Sequence, residues 1–170
     1  LDSPTSANQN SHMNNPKGSS NKKREALTAS LNEFLEVDGV ADYCPNGLQV
    51  EGADDITHIV CGVTACQALI DEAAQRNAQA LLVHHGILWG NQMPVITRSF
   101  RRRIQSLLDA NINLLAYHLP LDRHMEIGNG AMVAKRLSLT NLQPFGAHKN
   151  ITVGVRAETE SPITIDTLTE

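Results

Sequence analysis

The sequence predicts an α/β fold, a mostly parallel sheet flanked by helices, on three observations. Short apolar runs alternate with segments of helical periodicity, the runs are nearly continuous, and turn residues separate the segments. At 170 residues with 41% hydrophobic and 19% charged side chains, the chain suits one domain with a sizeable core. Domains of ~150 residues bury roughly 70% of the surface that the unfolded chain exposes. The net charge of -4 and pI near 6.0 give no global attraction to nucleic acid or anionic lipid. No apolar run approaches the ~20 residues of a membrane span, and no basic-then-apolar start reads as a signal peptide. The expected location is the cytoplasm, with no membrane partner. Cys44, Cys61 and Cys66 form no CxxC pair, which fits reduced thiols better than disulfides or a zinc knuckle.

The stretch 1–23 is rich in Ser, Asn, Pro and Lys and is expected to be a disordered tail, because it cannot bury enough surface to offset the entropy of ordering it. Its Ser11-His12-Met13 junction reads as the scar of an expression tag, so His12 carries no weight as a metal ligand. Residues 24–170 are then the α/β metal-binding domain. Leu27, Leu31, Phe34 and Leu35 mark one face of a first helix, which Asp38-Gly39 ends. Asp42-Tyr43-Cys44-Pro45-Asn46-Gly47 is turn chemistry leading into a short extended piece at Leu48 to Val50.

Ile56 to Val63 is the first long strand signal, and Thr64 with Gln67 three residues on forms a capping-box pattern for a helix through Arg76. Ala80 to Val83 repeats the strand and ends in His84-His85-Gly86, followed by a helix with Ile96, Phe100, Ile104, Leu107 and Leu108 on one side. Ile112 to Tyr117 is a third run, leading to His118-Leu119-Pro120-Leu121-Asp122. After a Gly-Asn-Gly turn comes a helix around Ala131 to Leu137, then a candidate strand at Ile151 to Val155. Ser161 to Thr169 reads as the opening of a helix that the chain does not finish, so the fold is expected to be incomplete at the C-terminus.

Ligands of open parallel sheets bind outside the carboxyl ends of the strands. His84 and His85 leave one strand there, and His118 and Asp122 leave the next, so His84, His85 and Asp122 are the candidate metal ligands. His118 ranks below them as an orienting partner for Asp122. A mixed imidazole and carboxylate set tolerates several first-row metals. Adjacent residues on a regular strand point to opposite faces. Either Gly86 lets the backbone turn so that both rings meet one ion, or each histidine serves its own ion and Asp122 bridges them. The second is favoured, since ion pairs ~3.5–4 Å apart are common in metal-assisted hydrolysis.

Against this stands the ordinary reading of a strand histidine as a hydrogen-bonded core residue. Two consecutive histidines with an aspartate at the next strand end weigh against it. His58, His124 and His148 lack such convergence and are expected at the surface, His124 near the pocket mouth. Trp89 walls the pocket or simply packs. Arg101-Arg102-Arg103 is the one basic cluster of the ordered region and offers only weak support for nucleic-acid or phosphate contact, being expected to face water. Neither a GxxxxGK[ST] loop nor a GxSxG elbow is present.

Asp42-Tyr43-x-Pro45-Asn46-Gly47-Leu48-Gln49-Val50-Glu51-Gly52, Gly62-Val63-Thr64-Ala65, Val83-His84-His85-Gly86 with Trp89, and Tyr117-His118-Leu119-Pro120-Leu121-Asp122 together resemble the GTP cyclohydrolase I type 2 homologues, also called the Nif-three-like family. The resemblance spans about Asp42 to Val155. It implies a dinuclear site in which His84, His85 and Asp122 match family ligands, two divalent ions such as zinc, iron or manganese, and a ring-shaped homo-oligomer, often a hexamer. Family members continue further and add a His and a Glu from a late motif. His148 does not match that motif, because Thr152 stands four residues on. The resemblance leads to two functional expectations: a metal-dependent hydrolase of unread substrate, or a non-enzymatic metal-binding or regulatory ring scaffold. Glu51 is the candidate general base.

Overall fold

The computed structural model describes residues 23–90, 94–149 and 151–169. The expected tail therefore lies outside the described residues apart from Lys23, which opens the first helix. In chain order the elements are α1 (Lys23–Phe34), β1 (Gly47–Val50), β2 (Ile59–Thr64), α2 (Gln67–Gln75), β3 (Ala80–His85), α3 (Arg98–Asp109), β4 (Asn113–Ala116), α4 (Leu119–Asp122), α5 (Asn129–Arg136), β5 (Thr140–His148), β6 (Ile151–Glu158) and α6 (Ile165–Thr169). Among the described residues no helix is long and apolar enough to cross a membrane.

The main sheet has the order β1-β4-β3-β2. β2, β3 and β4 run parallel, with Leu81 beside Val60 on one flank and Leu114 on the other, while β1 joins β4 antiparallel. The mostly parallel α/β architecture expected from the strand and helix alternation is therefore the one observed. Pleating sends Leu81, Val83, Leu114 and Ala116 into one core with Ile70 and Ala73 of α2 and Leu107 of α3. The opposite face carries Ala80, Leu115 and Tyr117, which pack with Leu31 and Leu35 around α1. Burial on both sides explains why the β3 and β4 runs are continuous rather than alternating, whereas β2 at the sheet edge is largely exposed.

α1 is anchored by Arg24, which is 5% exposed and whose guanidinium meets Asp54 at 2.8 Å and Glu51 at 3.2 Å. Asn113 is fully buried in β4 with each amide group satisfied: Oδ1 accepts from the Gly52 N–H, and Nδ2 donates to the Ala53 and Gln79 carbonyls. These bonds tie the segment after β1 to the amino end of the parallel strands.

Several local expectations are corrected. The first long strand starts at Ile59 rather than Ile56, because the Gln79 side chain takes the Thr57 and His58 N–H groups in place of a neighbouring strand. Thr64 and Gln67 do not form a capping box. Cys66 is the N-cap without a side-chain bond, Gln67 binds Asp71 and Ser106, and the Thr64 hydroxyl turns to His85. Ile96 precedes α3 and Leu108 faces away from the core, each more than half exposed. The candidate strand at Ile151 to Val155 is real but belongs to a second sheet, the antiparallel hairpin β5–β6. Its first strand was not anticipated because Pro144 and Gly146 interrupt the apolar pattern.

Candidate metal centre

β3 and β4 stop at the same edge of the sheet, and the chain leaves each through residues with donor atoms. The last β3–β4 register pair is Val83 with Ala116, so β4 no longer flanks His84 and His85, while on the other side His85 still pairs with Thr64 of β2. Each is tethered by one nitrogen. His84 Nδ1–H donates to the Tyr117 carbonyl at 2.9 Å, and His85 Nδ1 is 3.1 Å from the Thr64 hydroxyl. The two rings lie with centroids 4.4 Å apart. Consecutive histidines on the pleat thus have neighbouring rings, each turned by its own hydrogen-bond partner, Tyr117 for His84 and Thr64 for His85.

His118 comes to the same place. Its ring is 5.0 Å from His84 and 5.6 Å from His85, and one nitrogen from each of the three imidazoles falls within 4.8 Å of the others. Asp122, at the end of α4, puts Oδ1 3.4 Å from His84 Nε2 and accepts a hydrogen bond from Asn129 Nδ2 at 2.7 Å. Tetrahedral donors ~2.0–2.1 Å from one ion lie roughly 3.3 Å from each other, so this spacing suits two ligands of a shared ion. The structure thus gathers His84, His85 and His118 into one donor group, with His118 an equal neighbour rather than an outlying one, and places Asp122 against His84.

Sequence reasoning missed Asp42 as a functional residue. Its side chain is 2% exposed, and its carboxylate accepts from His118 Nδ1 at 2.8 Å, Asn46 Nδ2 at 2.9 Å, the Leu119 N–H at 2.9 Å and the Tyr43 N–H. Burial alone would raise its pKa, yet the hydrogen bonds from His118, Asn46, Leu119 and Tyr43 outweigh it and hold the carboxyl below its ordinary value. The charged carboxylate fixes the His118 tautomer with Nδ1 protonated, which leaves Nε2 as the free donor. The signal is present in the Asp42-to-Gly47 segment, which reads as turn chemistry and as part of the family resemblance but not as a support for His118. Asn46 and Gln49 from the same segment pin the neighbouring loops: Asn46 Oδ1 accepts from the His118 N–H, and Gln49 Oε1 from the Ile87 and Leu88 N–H groups.

Asp42, Cys44 and His118 form a second convergent group. Burial and the adjacent Asp42 charge push the Cys44 thiol up to about 12, so this group backs His118 rather than offering a second open ligand set. Burial, then the charges of His84 and His118, lower the pKa of His85 against the opposing pull of Asp122. A neutral imidazole with a free lone pair is the form a metal requires.

The remaining candidates fall elsewhere. Glu51 pairs with Arg24 near Gly52 and Asn113, at the amino edge of the parallel strands, and so is not beside the donors. His124 packs on Phe34 and its Nδ1 accepts from the Glu126 and Ile127 N–H groups, a turn-closing role. His58 is exposed, as expected. His148 is half-buried against Tyr43, with ring centroids 5.1 Å apart. Trp89 stands over the site, 5.2 Å from His118 and 5.8 Å from His85. Arg101 and Arg102 face water, while Arg103 donates to the Ala65 carbonyl.

Residues 22–170 match the family model Duf34/NIF3 (NGG1p interacting factor 3). A protein of Haemophilus influenzae named GTP cyclohydrolase 1 type 2 homolog is 48% identical over 138 residues, which are 81% of this chain and 55% of that protein. Among solved structures, one described as protein ybgI, of unknown function, superposes with a TM-score of 0.68 at 46% identity, covering 71% of this chain and 49% of the other. Another, from Thermus thermophilus, gives a TM-score of 0.68 at 38% identity over 72% of this chain and 50% of its own. The chain spans about half the length of the curated relatives it matches.

Proposed function

The chain belongs to the Duf34/NIF3 family, and on that premise we propose that it binds divalent metal through His84, His85 and Asp122, with His118 as a fourth donor, and that the site serves hydrolysis. The observation that supports this most is the convergence of three imidazole nitrogens from two strand ends within 4.8 Å. The donor set fits zinc, iron or manganese. When bound, such an ion supplies Lewis acidity to a substrate oxygen and lowers the pKa of a water toward ~7. The chain's own residues prepare for it. Tyr117, Thr64 and Asp42 take one nitrogen of His84, His85 and His118 respectively, and Asn129 steadies the Asp122 carboxylate. Four protein donors on one ion would close a tetrahedral shell, whereas the same donors divided between two ions would leave positions for a substrate. Two ions per chain is therefore our reading.

Elemental analysis of tag-free protein is the direct check: near two ions per chain, falling in His84→Ala and in Asp122→Ala. Wild-type protein that takes up no zinc at neutral pH would overturn the assignment. The relatives' name points to GTP, and the substrate is to be sought in a screen of nucleotides and phosphoesters, with turnover abolished by His85→Ala. A second reading, a metal-binding scaffold without catalysis, is favoured by one observation: Glu51, the base suggested by sequence, is committed to Arg24. Full metal loading with silence across the screen would select it. We further propose a ring-shaped homo-oligomer, which a solution mass of a single chain by light scattering would refute.

A further inference from the structure

We infer that Trp89, Tyr43 and Lys149 form a subsite for a planar ring carrying an anionic group, next to the donor cluster. This rests on the metal-site reading for where the reacting group of the ligand lies.

Trp89 combines fixation with exposure. Its indole N–H donates to the Gly86 carbonyl at 3.1 Å, so the ring is oriented, yet the residue is 46% exposed. A large apolar ring held in place with about half its surface open presents a stacking face. It meets His118 edge-on, with an interplanar angle of 81°, and lies beside His85, so a ligand ring resting on it sits next to both imidazoles. Tyr43, 51% exposed, approaches His118 from its own loop with ring centroids 6.4 Å apart. The two loops are strapped together, because the Gly90 N–H donates to the Tyr43 carbonyl at 2.6 Å. Both aromatic residues are thus positioned before any ligand arrives, which lowers the ordering cost of binding.

Charge completes the subsite. Lys149, at the turn between β5 and β6, sets its ammonium 5.5 Å above the Tyr43 ring. In a chain of net charge -4, a cation on the outer side of Tyr43 favours an anionic group at that end of the subsite, away from the Asp122 and Asp42 carboxylates that touch His84 and His118. A ring with a phosphate or carboxylate attached can stack on Trp89 while its anion reaches toward Tyr43 and Lys149.

Trp89 is the only tryptophan of the chain, so its emission reports this position alone. The test titrates phenyl phosphate and AMP, with ribose 5-phosphate as the ringless anion and adenosine as the neutral ring, by fluorescence and calorimetry. The two ring phosphates should quench Trp89 and bind about tenfold more tightly than ribose 5-phosphate, a stacking-sized effect. Trp89→Leu should erase that preference, Trp89→Phe should keep most of it, and Lys149→Ala should weaken the phosphates while leaving adenosine unchanged. Zinc uptake should be the same in all three variants. Equal affinity for AMP and ribose 5-phosphate, no binding of either ring phosphate, or wild-type binding by Trp89→Leu overturns the inference. Ring preference in protein that takes up no zinc would overturn the metal assignment and leave this subsite standing.

Discussion

Replacing Asp42 tests whether the metal centre is organised from behind. The carboxylate is almost fully buried and serves the His118 ring, the Asn46 amide and two backbone N–H groups at once. Asp42→Ala strands those buried donors without an acceptor, which costs about 1–3 kcal/mol. Asp42→Asn is more discriminating. It keeps the shape and one acceptor oxygen but removes the charge and points an N–H₂ group at a donor. Loss of such a supporting carboxylate typically costs roughly 10–100-fold in metal affinity. Zinc affinity, measured by competition with a chromogenic chelator, should fall by that factor in Asp42→Asn while the far-ultraviolet circular dichroism stays that of the wild type. Acid stability should change in a defined direction. Because the folded carboxyl titrates below its ordinary value of 3.8, its contribution is complete above that value and is lost as the pH falls through the lower folded one. Asp42→Asn should therefore flatten the acid limb of the stability curve. Wild-type zinc affinity in Asp42→Asn would refute the claim that this carboxylate orients His118 for binding.

Three further outcomes are expected. Cys61 and Cys66 are exposed and free while Cys44 is buried with its thiol near 12, so Ellman's reagent at pH 8 should titrate two thiols quickly and the third only after unfolding. Gly52→Ala would set a methyl 2.5–2.7 Å from backbone atoms of Asn111, Ile112 and Asn113, and should lower stability by about 1–3 kcal/mol in a denaturant melt. His85 titrates below its ordinary 6.5, so its share of stability is full above 6.5 and is lost as the pH falls from there toward the folded value. Metal-free protein should weaken over that window, and His85→Gln should weaken less.

The elements that were legible in advance depend on neighbours close in sequence. Periodicity located α1, α2, β3, α3 and β4, because helices and buried strands show their partners' faces within a few residues. The same logic failed where a distant side chain intervened. Gln79 shortened β2 by occupying its first N–H groups, and Thr64 left its helix cap for a histidine twenty-one residues away. Exposure of Leu108 and Ile96 likewise depends on which neighbours cover them, and spacing alone carries no record of that.

By itself the sequence determined that strand would alternate with helix, that the strands would be mostly parallel, and that His84, His85, His118 and Asp122 would leave them at a common edge. Those follow from hydrophobic period and from the rule that parallel strands end together. Only the tertiary structure decided that the two adjacent histidine rings meet, that His118 stands beside them, and that Asp42, seventy-six residues earlier in the chain, holds its tautomer. It also sent Glu51 to Arg24 at the opposite edge of the sheet. The physical reason is range: strand and helix periods are set by local backbone geometry, whereas the direction of a side chain at a strand's free end is set by hydrogen bonds that exist only once distant segments have closed on it.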